Sequence, residues 1–98
     1  LYENLVFLHL RRQSREVYYY KQTQEVDFYV PGKPSQLVNV SVDIRTPATL
    51  EREINGLLEG MRYTGLEEAT LVTQEREDVL TIEGKRITIV PAWQYLLQ

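Results

Sequence analysis

The chain has 98 residues, room for one domain around one core. With 43% hydrophobic and 26% charged residues it has an ordinary globular make-up, and its lack of cysteine excludes disulfides, thiolate metal sites and cysteine nucleophiles. The formal net charge of -3 argues against broad, non-specific nucleic-acid affinity.

The charge is unevenly placed. Residues 1–45 carry six basic and five acidic side chains, and residues 46–98 carry five and nine. A polyanion would therefore meet the first half, around Arg11, Arg12, Arg15 and Lys21. The competing and favoured reading of these cations is a solvated helix end, where positive charge suits the C-terminal dipole. No apolar run is long enough to span a membrane and no signal-peptide pattern occurs. A cytoplasmic location without membrane contact is expected. The chain opens on Leu1, already in a helical pattern, so it is expected to be a piece of a longer protein.

Leu1, Leu5 and Leu8, flanked by Tyr2 and Val6, recur at helical spacing and predict a first helix of about three turns that fades near Arg12 to Ser14. The stretches 16–21 (EVYYYK) and 24–30 (QEVDFYV) predict two strands of a hairpin across Gln22-Thr23. Pro31-Gly32-Lys33-Pro34 is a turn. Residues 36–42 (QLVNVSV) alternate, with Val38, Val40 and Val42 on one face and Leu37, Asn39 and Ser41 on the other. A second helix follows, with Thr46 as its cap, Pro47 in first position and Gly65 as its left-handed terminator. Its buried stripe is Leu50, Ile54, Leu57, Leu58 and Met61, and close packing on the sheet is expected to offset Gly56 and Gly60. Strands at 69–73, 78–82 and 86–90, with a turn at Glu83-Gly84-Lys85, lead to Pro91 and a short helix carrying Trp93, Leu96 and Leu97. The order αβββαβββα implies a layered α/β domain with a mixed sheet.

Metal-dependent phosphodiester cleavage needs carboxylates converging on a divalent ion and a cation that orients water and offsets developing charge. One solution puts an aspartate on one strand and Glu-x-Lys on its neighbour, where the period of two aims both at the ion. Asp27 is placed for the first role; the next strand offers Asn39 and Ser41 in place of the pair. Glu3, in the first helix, is a further carboxylate.

The element order, the EVDF of residues 25–28 and the alternating third strand resemble the restriction-endonuclease-like PD-(D/E)XK fold: an αβββαβ core, here with an added C-terminal strand hairpin and short helix. More narrowly, the chain resembles the C-terminal nuclease-like domain of a family of prokaryotic AAA+ (P-loop) ATPases of unknown function. The matching stretches are LYENLVF at 1–7, EVYYY at 16–20, EVDF, ERE at 51–53, and Pro91-Ala92-Trp93 with Leu96-Leu97. They span nearly the whole chain in order, and EVDF is the most informative. The resemblance implies that Glu3 matches the acidic residue of the first helix and Asp27 the strand aspartate that holds the metal. Asn39 stands where active relatives have the second acid, and Ser41 where they have lysine. Glu3 and Asp27 have bland readings too: a carboxylate in a helix's first turn is favoured by the dipole, and Asp27 can be a hydrogen-bonded remnant.

Other chemistry finds little support. His9 is the single histidine, and Ser14, Ser35 and Ser41 have no triad partners in the pattern of a hydrolase. The five glycines form no phosphate-cradling loop. Tyr18, Tyr19 and Tyr20 could stack bases, but packing and a sheet-face contact are the favoured use. The expectation is one nuclease-like domain over 1–98, catalytically degenerate, serving an ATPase through docking, protein contact or weak nucleic-acid contact. Its first partner would be the N-terminal ATPase domain of the same chain, and a protein or DNA would come second. No cofactor is expected here beyond a Mg²⁺ at Asp27 and Glu3, and ATP belongs to the missing N-terminal part. The alternative is an active metal-dependent DNA nuclease with an atypical ligand set.

Overall fold

A computed structural model describes residues 2–22 and 25–98. Leu1, Thr23 and Gln24, and the side chains of Tyr20, Lys21, Gln22, Glu25 and Val26, lie outside the described part, so the expected turn at Gln22-Thr23 does too. The elements are α1 (Tyr2–Gln13), β1 (Tyr18–Gln22), β2 (Glu25–Val30), β3 (Gln36–Val40), α2 (Pro47–Thr64), β4 (Glu68–Thr73), β5 (Asp78–Ile82), β6 (Lys85–Pro91) and α3 (Ala92–Tyr95). The strands form one mixed sheet in the order β1-β2-β3-β4-β6-β5. Antiparallel pairs β1/β2 and β2/β3 make one side and the hairpin β5/β6 the other, while parallel pairs β3/β4 and β4/β6 join them. None of the described helices is long and apolar enough to cross a membrane.

The period of two splits the apolar residues between two layers. On one face Phe28, Val30, Val38, Val40, Val72 and Val90 meet Val6 and Leu10 of α1 and Ala92 and Tyr95 of α3. On the other, Leu37, Ala69, Leu71, Ile87 and Ile89 meet Leu57, Leu58 and Met61 of α2. Helix α2 ends as its sequence predicts: Gly65 takes φ 76° and its N–H donates to the Met61 carbonyl. Glu83 and Gly84, both at positive φ (54° and 75°), make the tight turn of the β5/β6 hairpin, a conformation that hairpins of this length favour.

Five expectations are corrected, the first being that the third strand runs to residue 42: it ends at Val40, and Val42 is exposed. The buried face of α1 is Val6, His9 and Leu10, and Leu5 and Leu8 are exposed. The segment YENLVFLHL is apolar nearly all round, so spacing alone admits two faces, and the sheet takes the one that seats Val6 and Leu10 against Phe28. In α3, Ala92 and Tyr95 are buried while Trp93 and Leu97 face outward, because one turn following directly on β6 presents a single side to the sheet. Thr46 occupies the N-cap position of α2, but its hydroxyl donates to Thr49 Oγ1 at 2.7 Å rather than accepting from a backbone N–H. Close packing explains Gly60, whose added Cβ would lie 3.0 Å from Leu37 Cδ2; Gly56 has open space.

Candidate functional site

Asp27 and Asn39 are direct cross-strand partners in the β2/β3 register, so their side chains leave the same face of the sheet. Phe28 and Val38, which alternate with them, face α1; Asp27 and Asn39 therefore face the α2 side. On its other flank Asn39 is paired with Leu71 of β4. Ser41, one residue past the end of β3, is buried, and its N–H donates to the Val72 carbonyl at 2.9 Å.

Glu53 completes the group from α2. Its side chain is 1% exposed, and its Oε2 accepts a 2.5 Å hydrogen bond from Nδ2 of Asn39, itself 4% exposed. The Arg52 guanidinium lies 3.9 Å from Glu53 Oε1 and reaches out to solvent. Asn39 Oδ1 is buried and accepts no hydrogen bond among the described residues. A carboxylate brought out of water in this way costs several kcal/mol unless it is hydrogen-bonded or paired, and the Asn39 amide and Arg52 supply part of that compensation.

The sequence-predicted residues are thus brought together unevenly. Asp27 and Asn39 share one face and Ser41 is buried just past the end of β3, while Glu3 stands half-buried on α1, the helix of the opposite face. Among the described residues no three His, Asp or Glu side chains converge as a metal-holding group. The residue missed from sequence is Glu53. Its signal was present: it stands three residues after Leu50 and four before Leu57, so a carboxylate occupies the helix's buried stripe. A charge at such a position calls for a partner on the facing strand, and Asn39 is that partner.

In kind, Asp27, Glu53 and the Asn39 carbonyl oxygen are hard oxygen donors of the sort Mg²⁺ takes. Ser41 provides no ammonium, and Arg52, at Glu53, is the cation described beside the group. Past Ser41 the chain borders a cleft of about 420 Å³ at the carboxyl ends of β3 and β4, the end of a parallel sheet where ligands commonly bind. Its charges are internally matched. Arg45 forms a two-pronged pair with Asp43, holding that carboxyl down at about 2, and Arg76 pairs with Asp78.

His9 is buried on α1 with its ring 5.1 Å from that of Tyr95 and Gln13 Nε2 3.4 Å from its Nε2, in keeping with a packing role. Tyr18 and Tyr19 are both exposed, and Tyr19 also packs beside Phe7 and Phe28. Comparison with family models, with curated proteins and with solved structures returns no match.

Proposed function

We propose that this chain is a catalytically degenerate nuclease-like domain that serves an ATPase by docking and contact rather than by cleavage. The observation that carries the proposal is the buried hydrogen bond from Asn39 to Glu53, formed on the sheet face where Asp27 stands. An amide donating into a carboxylate satisfies that carboxylate from within the fold. Active relatives in the resembling family would carry an acid and a lysine at 39 and 41. Here Asn39 brings no charge, Ser41 brings no cation, and each missing stabilising group costs about 10²–10³ in rate. The ATPase part of the proposal rests on the resemblance of residues 1–7, 16–20, 25–28, 51–53 and 91–97 alone.

A second reading has one observation in its favour. Glu53 delivers a carboxylate to the place where Asn39 lacks one, so Asp27, Glu53 and Asn39 Oδ1 could hold Mg²⁺. Such an ion would supply Lewis acidity toward a phosphodiester, and Arg52 would be the nearest substitute for the missing lysine.

Plasmid and oligonucleotide cleavage with Mg²⁺ or Mn²⁺, with Asp27→Asn and Glu53→Gln alongside, separates the two. The degenerate domain shows background cleavage in all three proteins. Metal-dependent cleavage that disappears in both variants establishes the second reading instead. A full-length gene product without GxxxxGK[ST] ahead of this segment would remove the ATPase assignment.

A further inference from the structure

The chain's arginines fall into two groups. Arg45, Arg52, Arg62, Arg76 and Arg86 each face a carboxylate, those of Asp43, Glu53, Glu83, Asp78 and Glu68. Arg11, Arg12 and Arg15 are the remaining ones; all are exposed, and none forms an ion pair among the described residues. The Arg11 guanidinium donates to the Arg15 carbonyl, which ties the last turn of α1 to the segment leading into β1. A helix end explains one or two cations there through the dipole. It does not explain why the three arginines without an ion pair among the described residues stand together within residues 11–15.

The second observation is the strand that follows. β1 is an edge of the sheet: β2 takes one side, and among the described residues nothing pairs with the other. Open edges expose unmet N–H and C=O groups, and proteins usually blunt them with lysine, proline or a bulge. β1 (YYYKQ) carries one such lysine, Lys21, and its described side chains are Tyr18 and Tyr19, 58% and 64% exposed and directed to opposite faces of the sheet. Tyr19 is steadied by Phe7 and Phe28, with ring centroids 6.4 and 6.0 Å away, and the Tyr18 hydroxyl donates to Glu16 Oε2 at 3.3 Å. The Tyr19 ring is therefore packed on one side, and both rings keep open outer surfaces.

We propose that β1 is a docking edge for an extended acidic segment of a partner protein. The segment would add to the sheet as a further strand and pair its backbone with the open side of β1. Its apolar side chains would lie along Tyr18 on one face, and its carboxylates, on the α1 face beside Tyr19, would meet Arg11, Arg12 and Arg15. The uncompensated positive corner selects the sign of the occupant, and the unpaired edge selects a polypeptide. A nucleic acid could use the arginines and rings but has no backbone that matches a strand edge, and the chain's net charge of -3 opposes it. The inference deepens the docking part of the proposed function. It also stands or falls separately, because peptide binding and DNA cleavage are different readouts.

The test is fluorescence anisotropy of the 98-residue chain with labelled peptides of about six residues, a strand's length, alternating Glu and Val. Binding is expected at low salt and should weaken as salt rises. Methylating alternate peptide nitrogens removes the donors of one strand edge without touching the protein; placed on the edge that meets β1, it should cost at least about tenfold. Combining Arg11→Glu, Arg12→Glu and Arg15→Glu should cost about tenfold or more, and Tyr18→Ser a smaller factor, with unfolding curves confirming that both variants stay folded. Equal binding of the methylated peptide in both registers, or of a Lys–Val peptide, would overturn the proposal. So would tighter binding of oligothymidylate, or self-association lost in the arginine variant, which would assign the edge to nucleic acid or to a second copy.

Discussion

On the face covered by α1 and α3, the strands contribute Phe28, Val30, Val38, Val40, Val72 and Val90, every one apolar. On the face covered by α2, the same sheet contributes Leu37, Leu71, Ile87 and Ile89, and among them Asn39, bonded to Glu53. Both layers bury enough hydrocarbon to hold a helix, so stability alone gives no reason for the polar pair. A buried hydrogen-bonded charge of this kind is often no more stable than a well-packed apolar replacement. The difference therefore marks the α2 face as the one where something other than packing has shaped the sequence.

The sharpest way to break that contrast is to remove one partner. Asn39→Leu leaves the Glu53 carboxylate without its amide donor and should cost about 3 kcal/mol in urea unfolding. The double variant Asn39→Leu/Glu53→Leu should recover to within about 1 kcal/mol of the parent, because an apolar pair needs no partner there. A double variant as unstable as the single one would mean that the pair is part of the architecture, and the two faces would then differ less than their composition suggests.

A smaller effect belongs to the opposite face. Burial pushes the Tyr95 phenol up to about 12, against roughly 10 in an unfolded chain. Below pH 10 both states hold the proton and the contribution is complete. As pH rises from 10 to 12 the unfolded state ionises first, so stability falls by up to roughly 2–3 kcal/mol and is lost beyond the folded value. Tyr95→Phe keeps the ring and removes this component, so its stability should fall less steeply between pH 9 and 11.5 than that of the parent. Identical slopes would show that the ring's hydroxyl reaches water.

The smallest effect compares two positions on α2. Gly56→Ala should stabilise by about 0.5–1 kcal/mol, since nothing stands near its new methyl. Gly60→Ala gains the same helix preference but sets its Cβ 3.0 Å from Leu37 Cδ2, so its midpoint in urea should lie below that of Gly56→Ala. Equal midpoints would mean that the α2 layer packs more loosely than its distances imply.

The element order was legible from sequence because punctuation and periodicity agreed: Pro47 and Gly65 bracket α2, and Glu83-Gly84 turns the second hairpin. The alternation of 36–42 put Leu37 and Asn39 on one face correctly; the strand itself ends at Val40, so it says less of Ser41, and Val42 is exposed. What spacing could not choose was the face of α1, where apolar residues surround the helix, or the side of the single-turn α3. Glu53 escaped for a different reason. A glutamate in a helix reads as surface until its neighbours at three and four residues are seen to be buried, and its partner lies fourteen residues away on another element. The metal-ligand pattern drew attention to positions on strands, whereas the carboxylate beside Asn39 came from the helix above.

The middle strand has a consequence for how the chain folds. The β1–β2–β3 meander and the β5–β6 hairpin are each joined by short connections, so each can close locally, on the microsecond scale typical of hairpins. β4 pairs with β3 on one side and β6 on the other, both in parallel, and reaches β3 only after α2 has crossed over the sheet. Among the strand pairings its union with β3 spans the greatest sequence separation, and β4 links two pieces that are not otherwise paired strand to strand. Leu71, flanked in register by Asn39 and Ile89, sits at that seam, where a single strand joins two locally paired structures into one sheet.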